Sequence, residues 1–193
     1  MLKSYLENLK FNFKKFAQDN DVYDIILYGS SVKGDAKPQD VDLMLIFSDK
    51  KLKERLEVSQ KLKHMIKQEV EKADVKSINL SELFDSNFLA RQGILLEGYS
   101  LLDKRRFSER LGFYGFSIFS YNLGNLSHNE KTKFTYSLIG RNSEGMLKKI
   151  NGKTVGRGAF IIPIGNSNIF EEFLKNWKIN HWRKDILLSS HDI

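Results

Sequence analysis

In the opening stretch LKSYLENLKFNFKKFAQ, Leu2, Tyr5, Leu6, Leu9, Phe13 and Phe16 recur at helical spacing, which predicts an amphipathic helix ending near Asp19-Asn20-Asp21. DIILYG follows as a short continuous apolar run closed by glycine, the pattern of a strand buried on both faces. After the polar stretch SSVKGDAKPQD, VDLMLIF reads as a second strand. Charged residues at 49–57 then open a long helix through Leu56, Leu62, Met65, Ile66 and Val70. ADVKSINL predicts a third strand, and Ser81 the N-cap of a helix SELFDSNFLARQGILLEG that stops at Gly98. The order describes a mixed α/β domain over residues 1–103, a mixed sheet flanked by helices.

Beyond Asp103 the pattern changes. KRRFSERLGFYGFSIFSYNLGNLS is rich in aromatic residues and glycine and has no clear period. HNEKTKFTYSLIGR has helical spacing at Phe134, Leu138 and Ile139 with Ser127 as cap, GKTVGRGAFIIP reads as a turn and a strand, IFEEFLKNW as a helix and INHWRKDILL as a final strand. Residues 104–193 are therefore expected to form a small α+β domain.

Charge separates the two regions as well. The 193 residues include 31 Lys/Arg and 24 Asp/Glu; residues 1–103 hold 16 of the basic and 17 of the acidic groups, whereas 104–193 hold 15 and 7. A basic half beside a neutral one suits a protein in which one part does chemistry and the other meets a polyanion, and equally a surface selected for solubility. The absence of cysteine excludes disulfides and thiol nucleophiles. The longest apolar runs, LMLIF and FIIPI, are far shorter than a membrane helix, and charges at Lys3, Glu7 and Lys10 interrupt the start, so the expectation is a cytoplasmic protein. His64, His128, His181 and His191 show no metal-ligand spacing.

The chemistry concentrates in LYGSSVKGDAKPQDVDLMLIF. Gly29-Ser30 directly follows the first strand, and Asp40 and Asp42 enter the second one residue apart. Carboxylates at i and i+2 of a strand project from one face and repel unless a cation sits between them. Magnesium, a hard cation that binds one or two carboxylates plus substrate phosphates, suits that pair. Gly29 lets a backbone approach a phosphate, and Ser30 begins a helical turn whose N–H groups and hydroxyl can receive one. The alternative is structural: Asp40 caps a turn while Asp42 faces solvent.

With these residues the stretch resembles the nucleotidyltransferase superfamily built on the DNA polymerase β-type catalytic fold, especially its minimal nucleotidyltransferase domains. The shared pattern is an apolar strand, Gly-Ser, a short linker, and Asp-x-Asp between apolar positions. The resemblance implies a third carboxylate on a later strand, for which Asp74 in Ala73-Asp74-Val75 fits. It further implies that Asp40, Asp42 and Asp74 hold two magnesium ions, Asp74 also helping to deprotonate the attacking hydroxyl, while Gly29, Ser30 and Lys33 contact the nucleotide. Lys37 lies in the same loop. Lys76 and Ser77 depart from the expected apolar third strand. The implied activity is transfer of a nucleoside monophosphate, most simply AMP from ATP, to a hydroxyl of RNA, a protein side chain or a small molecule. The alternative is a silent nucleotidyltransferase-fold protein, including an antitoxin-type one, that binds nucleic acid or a partner. For the basic region, Lys104-Arg105-Arg106, Arg141, Lys148-Lys149, Lys153, Arg157 and Arg183-Lys184 interleave with Phe113, Tyr114, Phe116, Tyr121, Trp177 and Trp182, a composition compatible with a nucleic acid, the Phe residues reading rather as core.

Overall fold

The computed structural model describes residues 10–32, 40–70 and 72–190. It divides into two compact units, the first running to Gly112 and the second beginning at Phe113.

In the first unit, helix α1 (Phe13–Asp19) starts at Asn12, whose side chain accepts the Lys15 N–H at 3.0 Å, and buries Phe13, Phe16 and Ala17. Residues 1–9 of the expected opening helix lie outside the described residues. The sheet contains β1 (Asp24–Tyr28), β2 (Val41–Phe47), β3 (Ala73–Asn79), β4 (Tyr99–Ser100) and β5 (Arg105–Arg106) in the order β3-β2-β1-β4-β5. Only β2 and β3 are parallel, joined by the crossover helix α2 (Leu52–Ile66). The continuous apolar runs of β1 and β2 are buried on both faces. Ile25, Leu27, Leu43, Leu45 and Phe47 pack under α1 and α2. Ile26, Met44 and Ile46 pack on the other side against Leu83, Ile94 and Phe107.

Two expectations are corrected. Helix α2 buries only part of the stripe read from its sequence: Leu62, Ile66 and, just beyond its end, Val70 are inside, but Leu56 and Met65 are exposed and Arg55 and Ser59 face inward instead. Arg55 reaches the sheet side because Glu82 receives its guanidinium in an ion pair. The long helix expected from Ser81 is also broken. Asn79, not Ser81, forms a capping box with Glu82 over a 3-10 turn at Leu80–Phe84, the backbone becomes extended at Asp85, and helix α3 covers only Arg91–Glu97. Gly98 ends it, as the sequence predicts.

The first compact unit includes the segment that follows Asp103 and runs to Gly112. Arg105–Arg106 pairs with Tyr99–Ser100, and Phe107 of the short helix α4 (Phe107–Arg110) is buried in the first core. Arg110 completes the closure. Its Nη1 lies 2.6 Å from Oδ2 of Asp24, a side chain with 0% exposure at the start of β1. Asp24 Oδ1 also accepts the Ser100 hydroxyl at 2.8 Å and the Ile25 N–H at 2.7 Å. Burial pushes the Asp24 carboxyl above its ordinary range, while Ser100, Ile25 and Arg110 oppose the shift.

The second unit runs β6 (Phe113–Asn122), α5 (His128–Ile139), the short α6 (Met146–Lys149), β7 (Lys153–Gly156), β8 (Ala159–Pro163), α7 (Ser167–Asn176) and β9 (Asn180–Ser189). Its antiparallel sheet has the order β7-β8-β6-β9. With two main helices this is a strand–helix–strand–strand–helix–strand unit. Ser127 caps α5 as expected, in a capping box with Glu130. The glycine-rich GKTVGRG forms a hairpin in which Gly158 takes φ +72°. Phe119, Phe134, Leu138, Phe160, Phe170 and Leu174 share one core. No helix of the described residues is long and apolar enough to cross a membrane.

Replacing Arg110 with Ala leaves the buried Asp24 carboxylate without its counter-charge and is expected to cost about 3 kcal/mol in urea unfolding. Because the Asp24 pKa is raised on folding, the remaining charge destabilises the fold above the ordinary carboxylate range and ceases to do so as pH falls. The Arg110→Ala deficit therefore shrinks in acid, and Asp24→Asn added to Arg110→Ala recovers part of it.

Candidate active site

β1, β2 and β3 are locked in register by two apolar faces, since a slip of one residue would turn every core side chain outward. That register pairs Tyr28 with Asp42 across β1 and β2, and Asp42 with Asp74 across β2 and β3. The three side chains stand in one row, on the face that Ile26, Met44, Ile46 and Ile78 occupy farther along the strands. The Val41 N–H donates to the Lys72 carbonyl at 2.9 Å, tying the entry of β2 to that of β3. Asp40 is exposed just before β2, and Asp42 and Asp74 are half-buried.

Gly29 follows Tyr28 with φ +70° and opens a 3-10 turn, Gly29–Val32, that Val32 anchors in the core. A Cβ on Gly29 would run into the Asp42 Oδ2. Glycine is thus required here twice, by the left-handed backbone and by the approach of a carboxylate. Ser30 is exposed on this turn. Lys33 and Lys37 lie outside the described residues.

The electrostatics follow from the row. Burial raises the Asp42 pKa, and the negative charges of Asp74 and Asp40 raise it further against the opposing Lys76. Tyr28 is pushed up by burial, with Asp42 and Asp74 adding to the shift and Lys76 opposing it. Lys76 stands on the same face of β3 as Asp74, with Nζ 3.0 Å from Oδ2, and this hydrogen bond is the main reason its pKa rises. The residue that interrupts the apolar pattern of the third strand is therefore a charge partner of the site. Sequence reasoning missed that role, although a lysine two positions from Asp74 on one strand face was visible. It also missed Tyr28, whose only sequence signal is its place next to Gly29.

Among the described residues no group of three or more His, Cys, Asp or Glu side chains forms a ready metal site, and the Asp74 carboxylate is engaged by Lys76. The donor chemistry nevertheless fits a hard divalent cation. Asp42 and Asp74 are oxygen donors on adjacent strands whose mutual repulsion a cation would relieve, with Asp40 contributing to the same field.

Residues 12–100 match the family described as Polymerase beta, Nucleotidyltransferase. Among solved structures, a toxin-antitoxin complex MntA-HpeT carrying two Asp-to-Glu substitutions is 24% identical, over 46% of this chain and 68% of that one, with a TM-score of 0.34. A toxin-antitoxin structure with AMP-PNP is 24% identical over the same shares, with a TM-score of 0.35. No curated protein sequence matches the chain.

In the absence of divalent ions, Asp42→Asn is expected to raise the unfolding midpoint at about pH 7, where the wild-type carboxylate is charged. Because the Asp42 pKa is raised on folding, this advantage fades as pH falls through the carboxylate range; urea titrations across that range measure it. Gly29→Ala is expected to destabilise by about 1–3 kcal/mol from backbone strain, in the same assay.

Proposed function

We infer that this chain, whose residues 12–100 form a polymerase-beta-like nucleotidyltransferase domain, transfers a nucleoside monophosphate from ATP to a hydroxyl acceptor and releases pyrophosphate. The observation that carries the reading is the pairing of Asp42 with Asp74 on parallel strands, with Gly29 held against Asp42. Structural needs do not account for two half-buried carboxylates set side by side, because each raises the cost of charging the other.

Gly29 leaves the backbone open to a phosphate, and the Ser30 hydroxyl and the N–H groups of the turn can receive it. Lys33, three residues after Ser30 in the sequence, serves the triphosphate in this reading. Asp40 and Asp42 would hold magnesium, and Asp74 would complete the ligand set on release from Lys76. When bound, magnesium would supply neutralisation of the triphosphate charge and a lowered pKa for the attacking hydroxyl. Asp74 accepts the acceptor hydroxyl's proton as that oxygen bonds to the α-phosphorus and the bond to pyrophosphate breaks. Lys76, already beside Asp74, offers an ammonium to the negative charge gathered there. The acceptor class that fits is a hydroxyl of RNA or of a protein side chain.

One observation favours a second reading. The Lys76–Asp74 ion pair satisfies the third carboxylate without a metal, as expected of a silent domain that binds nucleotide without turning it over.

Incubation with α-phosphate-labelled ATP, magnesium and a cell extract is expected to place label in an RNA or protein fraction, and Asp42→Asn to lower it by at least about 10²-fold. Without activity, magnesium with ATP is expected to stabilise the wild type against unfolding by an amount that depends on concentration, about 2.7 kcal/mol at a hundredfold excess over Kd, and to leave Asp42→Asn unmoved. Stabilisation without label transfer selects the silent reading. Neither label nor stabilisation removes both.

A further inference from the structure

The two faces of the C-terminal sheet differ chemically. Phe119 and Tyr121 of β6 and Phe160 and Ile162 of β8 point toward the core shared with α5 and α7. Charges of β9 on that side are paired, Arg183 reaching Asp185, Glu171 and Asn168, and Ser117 bonding Asp185. On the opposite face the register sets Leu188 beside Tyr114, Ile186 beside Phe116, Lys184 beside Ile118 and Trp182 beside Ser120. Ile161 stands between Ile118 and Lys153. The buried core of the unit includes no residue of this second face. Trp182 is 55% exposed and Tyr114 43%, and Phe116 and Ile118 are half-buried.

The charge on this face has one sign. Lys153 and Lys184 are exposed, and its paired strand positions carry no carboxylate, since Asp185 belongs to the helix side. Residues 113–193 hold 11 Lys/Arg and 6 Asp/Glu. A wholly apolar protein surface laid here would bury Lys184, which sits between Trp182 and Ile186 on one strand face, without a counter-charge. A ligand with flat apolar rings on an anionic backbone satisfies both the aromatic and the cationic positions. A duplex keeps its ring faces inside its own stack and offers only the phosphates.

The geometry points to this open face as a binding surface for single-stranded nucleic acid, with bases stacked on Tyr114, Phe116 and Trp182 and phosphates held by Lys153 and Lys184. The assignment stands on the C-terminal sheet alone and needs no step of nucleotidyl transfer.

The test titrates the full chain into labelled single-stranded RNA and DNA oligomers of mixed sequence, with EDTA and no nucleoside triphosphate, following anisotropy. Saturable binding that weakens with salt is expected, with Lys184→Ala lowering the log–log slope by about 0.7 for one lost phosphate contact. Trp182→Ala and Tyr114→Ala are each expected to weaken binding by about 5- to 150-fold. Trp182→Phe keeps most of the affinity, and Lys133→Ala on α5 leaves it unchanged. Both tested aromatics are exposed, so their loss does not endanger folding. Absence of binding, equal affinity for a duplex of the same sequence, or unaltered binding by Trp182→Ala overturns the assignment. A wild-type dimer that Trp182→Ala dissociates, in the absence of oligomer binding, overturns it in favour of a protein interface.

Discussion

The first unit depends on the register of three strands. β1 and β2 are buried on both faces, so each of their apolar side chains is committed to one of two cores and the pairing cannot slide. Given that lock, the polar residues at the strand ends have no freedom of placement. Tyr28, Asp42 and Asp74 stand in a row because Ile26, Met44 and Ile78 on the same face must be inside. Hydrophobic burial thus holds in place a pair of carboxylates whose own interaction is repulsive.

The same trade recurs at the other end of β1. Asp24 is fully buried, and its charge is tolerated because Ser100, the Ile25 amide and Arg110 converge on it. Arg110 also meets Asp103 and lies over the Tyr23 ring, so the segment after β4 is fastened to the first strand by one guanidinium. This is why the compact unit extends to Gly112, although the sequence changes character at Asp103. Two acids of the sheet differ in kind: Asp24, fully buried, is saturated with donors, whereas Asp42, half-buried, faces other carboxylates.

The second unit sorts its charges by face. Arg183 and Lys184 are adjacent in sequence, yet strand alternation sends the first to Glu171 and Asp185 under a helix and the second to the open side. Most of its aromatic residues are core, as the edge-to-face packing of Phe119 on Phe170 illustrates. Phe113, Tyr114, Tyr136 and Trp182 are exposed instead, and of these Tyr114 and Trp182 share one face of the sheet.

Local sequence determined strands β1, β2, β3, β8 and β9, the Gly-Ser turn, the spacing of Asp40 and Asp42 and the Ser127 cap, because each is written in side-chain period or in the needs of one turn, whereas β6 lies in a stretch without a clear period. It could also nominate Asp74, through a resemblance of pattern. Only the tertiary structure decided what depends on residues far apart in the chain. It set Tyr28 beside Asp42, joined Lys76 to Asp74 within that row, and drew Arg55 inward by the offer of Glu82. It broke the helix expected after Ser81 at Asp85, where the Asn79–Glu82 capping box had already spent the turn. At Arg55 a partner far along the chain outweighed local periodicity, since a charge or hydrogen bond satisfied at the edge of a core is worth more than the few tenths of a kcal/mol in helix propensity.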